Sequence, residues 1–416
     1  MTDRAGQGGT LARQEARAGS EPRVGGPAAR GHEGPIRFRL VQPAQPKYRV
    51  AVFRELAARP GIDFELVYAE EPGLPNAPAE GYHARYAPQR RVRLGSQVLL
   101  WHGAHLREVS RRRADVVGMT WNTRYLSLVP ALQLARARGV GTVLWGHGFS
   151  KNETARRLRL RIGVGRMASA VVLYNHGAAE RAIAEGIERE RVFVALNALD
   201  QGPIQAARAA WVGEAGKIEA FRRERRLEGR PIVLFVSRLE PANRVDLLLD
   251  AVARLGPALP GVTAVIVGGG ADEARLRRRA KDLGLGDRAR FEGPIYDEMA
   301  LAGWMTAADA FCYPANVGLS LLHAFGYGLP VVTGDNLASH NPEIEALRDG
   351  VNGLLFRDGD AGSLAECLRR VLTDRGMAAS MRAEARRTVL ERFTVQRMVD
   401  GLEAAVRFAA RLCAAR

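Results

Sequence analysis

Short β-branched or apolar runs alternate with segments of helical period along most of this chain, in two successive series. In the first half, strand-like runs fall at Ile36–Val41, Phe64–Tyr68, Val116–Met119, Val140–Leu144, Ala170–Tyr174 and Val192–Leu196, with helical segments such as Tyr48–Ala58 and Ser127–Ala137 between them. After a charged helical stretch at Glu219–Arg230 the pattern resumes. Strands are expected at Ile232–Val236, Ala264–Val267, Ala289–Phe291, Ala310–Tyr313 and Val331–Thr333. Helices are expected at Val245–Leu255, Glu273–Leu283, Met299–Thr306, Leu319–Tyr327 and Ala361–Thr373. Strand–helix alternation implies parallel strands joined by right-handed crossovers, hence a doubly wound α/β sheet, here built twice. The 416 residues are ample for two domains of roughly 100–200 residues each. Ligands of open α/β sheets sit beyond the carboxyl ends of the strands, so the cleft between two such halves is the expected site.

The expected boundaries follow from composition. Residues 1–34 are rich in Gly, Ala, Arg and Glu and read as a disordered tail, too poor in apolar side chains to offset ordering entropy. Residues 35–200 form the first domain, 201–228 a helical connection and 229–392 the second domain. Residues 393–416 end the chain in an amphipathic helix, with Val395, Met398, Val399, Leu402, Ala405, Val406 and Ala409 at helical spacing.

Charge and cysteine usage narrow the function classes. The net charge of +16 is carried almost wholly by arginine, since lysine occurs only at 47, 151, 217 and 281. The charge is scattered, and no helix-turn-helix, zinc-finger or RNA-binding signature accompanies it, so nucleic acid is not an expected partner. Cys312, Cys367 and Cys413 lack metal-ligand spacing and read as reduced thiols of a cytoplasmic protein. No apolar run reaches the roughly 20 residues of a membrane span. One segment does suggest contact with an anionic membrane surface. Thr154–Met167 carries Arg156, Arg157, Arg159, Arg161 and Arg166 interleaved with Leu158, Leu160 and Ile162. The same spacing also describes a solvated helix whose apolar stripe packs on the core.

The second half holds the chemistry-bearing motifs. Arg238 closes the strand Ile232–Val236, and Arg244 stands near the start of the next helix. A helix N-terminus attracts phosphate through free N–H groups and its dipole, and two guanidiniums add bidentate donors. The glycines at 268–270 follow a strand and let backbone approach a ligand, with Gly269 central. The longest motif runs from Tyr313 to Thr333, YPANVGLSLLHAFGYGLPVVT. There a glycine loop enters a helix whose first turn holds Leu319 and Ser320, with His323 one turn in. Amides at Gly318, Leu319 and Ser320 are candidates to hold a phosphate. Asp358 and Asp360 have the look of a metal-binding pair but sit in a Gly/Asp turn, which is the preferred reading. No metal site is expected.

The stretch from about Ile232 to Phe393 resembles the C-terminal domain of retaining GT-B glycosyltransferases of family 4. Arg238-Leu239, the glycine turn, Phe291-Glu-Gly293, Ala308-Asp309, Pro314, Gly318-Leu319, Gly328-x-Pro330-Val-Val332 and Gly350-x-Asn352-Gly353 carry the likeness. Tyr48-Arg49, Trp121-Asn122-Thr123 and Gly146-His147-Gly148 carry a looser one in the first half. The resemblance implies two Rossmann-like domains facing across a cleft, and a last helix that crosses back to the first domain. It implies transfer of a sugar from a nucleotide-diphosphate sugar, without a cofactor, to a glycan, lipid-linked or other acceptor. It further implies roles for residues. Arg238 would bind the donor diphosphate. Asn243 stands where the family usually has lysine, so Arg244 would substitute. His147 would sit at the donor sugar and β-phosphate as the catalytic candidate, and the backbone at Ile295 would read the base. Lys47, Tyr48, Arg49 and Asn122 would line the acceptor side. The family's paired glutamates are replaced by Ala315 and His323, while Glu345 matches a third acid. His323 can still hydrogen-bond a ribose hydroxyl.

Retention needs stabilisation of a leaving diphosphate and no obligatory carboxylate nucleophile, so the arginines and the helix N-terminus can stand in for a divalent cation. A phosphorylase of the same fold would need a pyridoxal-binding lysine, and the second domain has only Lys281, on a charged helix. An epimerase would be expected to keep the glutamates. The remaining alternative is a catalytically degenerate chain that binds a nucleotide sugar or a partner transferase. His102 and His105 read as structural.

Overall fold

The computed structural model describes residues 34–95, 97–151 and 153–414; the expected tail lies almost wholly outside them. The first domain is built on a seven-stranded parallel sheet. Its strands are β1 (Ile36–Gln42), β2 (Ile62–Tyr68), β3 (His83–Tyr86), β6 (Val116–Thr120), β7 (Gly141–Gly146), β8 (Ala170–Leu173) and β9 (Val192–Val194), in the order β3-β2-β1-β6-β7-β8-β9. Between β3 and β6 the chain inserts an antiparallel hairpin, β4 (Gln89–Leu94) and β5 (Gln97–His102), which lies outside the sheet. The strands alternate their side chains between two apolar layers. Phe38, Leu40, Val116, Val143 and Trp145 enter one, and Val117, Met119, Leu144 and Leu173 the other. Burial on both faces explains why these segments read as near-continuous apolar runs.

The second domain repeats the plan with six parallel strands. They are β10 (Ile232–Val236), β11 (Thr263–Val267), β12 (Ala289–Gly293), β13 (Ala310–Cys312), β14 (Val331–Gly334) and β15 (Gly353–Phe356), ordered β12-β11-β10-β13-β14-β15. In each sheet the first strand in the chain lies third from one edge, and the chain winds outward from it on both sides. The reversal of direction falls beside β1 in one sheet and beside β10 in the other, which sets Arg238 at the switch point where α/β sheets bind ligands.

Two helical segments join the domains. Gln201–Val212 packs on the helices Glu298–Ala307 and Leu319–Tyr327 of the second domain. The last helix, Val395–Ala414, returns to the first domain, where its Met398, Val399, Leu402, Ala405, Val406 and Ala409 share a core with Phe38 and Trp145. Its approach to the sheet is close enough to require glycine. A Cβ at Gly401 would lie 2.0 Å from the Val194 carbonyl oxygen. Among the described residues, no helix is long and apolar enough to cross a membrane.

Candidate functional site

The carboxyl ends of the two sheets face each other, and the site is assembled from both. On the second-domain side, Arg238 leaves β10 with its side chain 76% exposed and, among the described residues, only Glu240 within salt-bridge reach, at 3.5 Å. The loop behind it is packed against the glycine turn. A Cβ on Gly268 (φ +148°) would meet the Ser237 carbonyl oxygen at 1.8 Å, and one on Gly270 the Leu239 carbonyl oxygen at 2.3 Å. These glycines therefore seat the Arg238 loop against β11. Gly269, between them, accepts the Leu239 N–H at 3.0 Å. Asn243 is buried; its amide nitrogen donates to the Arg238 carbonyl at 2.8 Å, and its oxygen accepts from Asn316 at 3.1 Å. It is a strut between the arginine loop and the glycine loop. Arg244 caps the helix Val245–Leu255 in the left-handed region (φ +52°), and its guanidinium reaches Asp246 at 3.5 Å. It stands at the helix entrance as the sequence implies, but already with an acidic neighbour.

The helix Leu319–Tyr327 begins at Gly318 with no side-chain cap. Its first N–H groups are thus left for an incoming acceptor of hydrogen bonds. Leu319, Ser320 and His323 line a cavity of about 880 Å³ that is completed by Tyr296 and Glu298 and, from the first domain, by Lys47, Tyr48 and Arg54. His323 does not turn toward the glycine loop. Its Nε2 lies 2.9 Å from Glu298 Oε1, and the Tyr327 hydroxyl donates to the same oxygen at 2.5 Å. Burial would raise the Glu298 carboxyl, but the bonds from His323 and Tyr327 outweigh it and hold it below the usual range. A carboxylate absent from positions 315 and 323 is thus supplied by the neighbouring helix. Ala315 itself is buried. Ile295 is partly buried against the second core, with Tyr296 exposed beside it.

On the first-domain side a second cavity, about 420 Å³, is lined by Tyr48, Arg49, Asn122, Arg124, His147 and Arg161, among others. Lys47 is absent from it and lines the larger cavity, a difference from the acceptor-side expectation. Tyr48 borders both cavities and so joins them. Arg49 is 7% exposed, and its guanidinium lies about 5 Å from the rings of Tyr48, Trp145 and Tyr174. His147 stands edge-on to Tyr174 at 4.9 Å. Burial, with Arg49 and Lys151 adding to it, pushes its pKa down to about 4, so the ring is neutral at pH 7. Among the described residues no hydrogen bond holds its nitrogens, which leaves them available to a ligand hydroxyl or phosphate oxygen. Arg161, read in sequence as part of a basic face, is turned inward and pairs with Glu153 at 2.9 Å.

Lys151, Asn197 and His176 of the first domain make polar contacts to the second around this cleft, and none was legible in the sequence. Lys151 donates to Asn316 and to the Ser339 carbonyl. Asn197 donates to Glu343, a carboxyl 3% exposed and raised by burial. Glu345, expected on the donor, instead takes the backbone N–H of His176 at 2.8 Å and the His176 ring. The rarity of lysine was the one signal that could have marked Lys151. Asp360 caps the helix Ala361–Thr373, accepting from Gly362 and Ser363 at 2.8 and 3.0 Å, as a turn residue does. His102 and His105 stack at 5.3 Å in the first-domain core, where burial drives their pKa values down to about 4 and about 3.

Comparison with known proteins agrees with this architecture. Residues 217–388 match the family model for glycosyl transferases group 1. The chain is 28% identical over 275 residues to the GDP-mannose-dependent alpha-(1-6)-phosphatidylinositol monomannoside mannosyltransferase of Mycobacterium tuberculosis, covering 63% of this chain and 68% of the relative. It is 36% identical over 200 residues to the D-inositol 3-phosphate glycosyltransferase of Geodermatophilus obscurus, covering 45% and 42%. In fold it is similar to Anabaena HepE, crystallised with UDP, at a TM-score of 0.68, 20% identity, and coverage of 88% and 98%. A glycosyltransferase from Rickettsia africae superposes equally, at a TM-score of 0.68, 12% identity, and coverage of 90% and 98%.

Proposed function

We propose that this chain, whose residues 217–388 match the group 1 glycosyl transferase model, transfers a sugar from a nucleotide-diphosphate sugar to a glycan or lipid-linked acceptor, with retention of configuration. The observation that carries this is the uncapped N-terminus of the helix Leu319–Tyr327, open to a cavity shared by both domains, with a solvent-facing Arg238 on a loop that Asn243 ties to Asn316 in the glycine loop before that helix. In this reading the diphosphate lies over the Leu319 and Ser320 amides. Arg238 and Arg244 supply counter-charge as the leaving group departs, in place of a divalent cation. Ribose hydroxyls meet His323 and Glu298, and the base lies toward Ile295 and Tyr296. The sugar extends past Tyr48 to His147, whose neutral imidazole accepts or donates a hydrogen bond without adding charge. The acceptor enters from the cavity at Arg49, Asn122 and Arg124. The exposed Arg124 on that cavity and the mannosyl-lipid names of relatives support an acceptor at an anionic membrane surface, reached from the cytoplasmic side, in polysaccharide or glycolipid assembly.

One observation favours the non-catalytic alternative: Ala315 presents no polar group where the family has a glutamate. Release of sugar from UDP-, GDP- and ADP-sugars, with the anomer of the product read by NMR, separates the two. Slow hydrolysis yielding the retained anomer supports transfer. Tight nucleotide binding with no bond cleavage by any donor, with or without glycan and lipid acceptors, would leave the binding role.

A further inference from the structure

The hairpin β4–β5 has its apolar side facing out. Its register pairs Arg90 with Trp101, Val92 with Leu99 and Leu94 with Gln97 on one face, and Gln89 with His102, Arg91 with Leu100 and Arg93 with Val98 on the other. The second face packs on the protein: His102 and Leu100 are buried, and Val98 joins the first-domain core. The first face is exposed, with Leu94 at 68%, Val92 at 54% and Trp101 at 38%. A surface hairpin ordinarily shows the opposite pattern, polar outward and apolar inward. The patch continues onto the next segment. Leu100 bridges Tyr125, a buried residue, so alternation turns Leu126 outward beside Trp101, and Leu126 is 51% exposed.

Within the hairpin itself the charge has one sign. Residues 89–102 contain three arginines and no acid. Arg91 pairs with Glu71 at 2.8 Å, while among the described residues Arg90, Arg93 and Arg124 have no ion-pair partner. Apolar side chains and a tryptophan flanked by the free guanidiniums of Arg90 and Arg124 match the interface of an anionic bilayer, where the rings sit at headgroup level and the cations meet lipid phosphates. A neutral partner protein would use the apolar centre and leave these two cations uncompensated. The patch also adjoins the acceptor cavity, since the loop that carries Leu126 carries Asn122 and Arg124, which line it.

We propose that the outward face of the hairpin 89–102, with Leu126, is a membrane-docking surface that sets the acceptor cavity against an anionic lipid bilayer. It rests on the transferase reading only for its purpose; docking itself needs no sugar donor. The test is co-sedimentation of the full chain with vesicles of phosphatidylcholine alone or mixed with phosphatidylglycerol, without nucleotide. Wild type should bind the anionic vesicles at least about tenfold more strongly, and lose most of that binding in high salt. Val92→Glu with Leu94→Glu should lower it by about tenfold or more while leaving the melting temperature and nucleotide affinity unchanged, because both side chains are solvent-facing. Arg156→Glu with Arg159→Glu, on the helix Ala155–Met167, should retain binding. The hypothesis is overturned by a wild type that ignores anionic vesicles, by a hairpin variant that binds as well as wild type, or by a patch that proves to hold two copies of the chain together. The last would appear as a dimer in sedimentation that becomes monomeric in the hairpin variant.

Discussion

Arg238→Ala separates ligand binding from stability more cleanly than any other change in the cleft. The guanidinium is 76% exposed, and Glu240, its acidic neighbour among the described residues, is at 3.5 Å with its own side chain 46% exposed. Solvent-screened pairs of this kind contribute about 0–1 kcal/mol, so the melting temperature should move by no more than a few degrees. If the same side chain bonds the donor diphosphate, its loss removes a charged hydrogen bond of about 1.5–3 kcal/mol, a decrease in affinity of about tenfold to 150-fold. Calorimetric titration of the preferred nucleoside diphosphate into wild type and variant reads this directly. The neighbouring loop is held by Asn243 through the Arg238 backbone carbonyl, which the substitution keeps, so a collapsed loop does not confound the result. Unchanged affinity in a folded variant would place the diphosphate elsewhere and refute the clamp.

Other expectations follow from the same geometry. His323→Ala and Glu298→Gln should each weaken nucleoside diphosphate binding while leaving inorganic pyrophosphate binding within about twofold, since their contacts lie beyond the phosphates; equal losses for both ligands would deny the ribose role. Gly268→Ala should destabilise the second domain by about 3 kcal/mol or more, because its Cβ would overlap the Ser237 carbonyl; a Tm within a degree or two of wild type would contradict the packing. His176 has its pKa raised by the hydrogen bond to Glu345. That contribution is complete below the unfolded value of about 6.5 and is lost as pH rises through the folded value, so the wild-type advantage in Tm over His176→Gln should shrink from pH 6 to pH 8.5. Burial depresses His147, His102 and His105 toward about 4, 4 and 3, so their contribution runs the other way. It is present above about 6.5 and lost as acid is added through the folded values, and thermal melts from pH 7 to pH 4 should show it.

Periodicity made the two sheets legible. The helices Val245–Leu255, Leu319–Tyr327 and Ala361–Thr373 run to the residues expected, because each is bounded by a glycine, a proline or a capping aspartate. The hairpin 89–102 was not legible. Its arginines fall on both faces and Val92, Leu94 and Trp101 point outward, which erases the alternation by which strands are read. The segment 201–212 lies in the expected helical connection, but its burial of Ile204 and Ala207 in the second core was not legible. In the site, local motifs located Arg238, His147 and the helix at Leu319 because strand ends and glycine loops are local features. Partners 25 to 169 residues apart were not accessible from sequence: Glu298 to His323, Lys151 to Asn316 and Glu345 to His176. These pairings are set by how helices and domains pack, which no short-range spacing encodes.

The most direct test of the central claim is titration of UDP, GDP and ADP into the full chain in the presence of EDTA, followed by excess magnesium. Saturable 1:1 binding of one diphosphate in EDTA, unaltered by magnesium and weakened by Arg238→Ala, is the expected result. Binding of none of them, or binding that appears only with magnesium, would contradict a site built on arginines and a helix N-terminus.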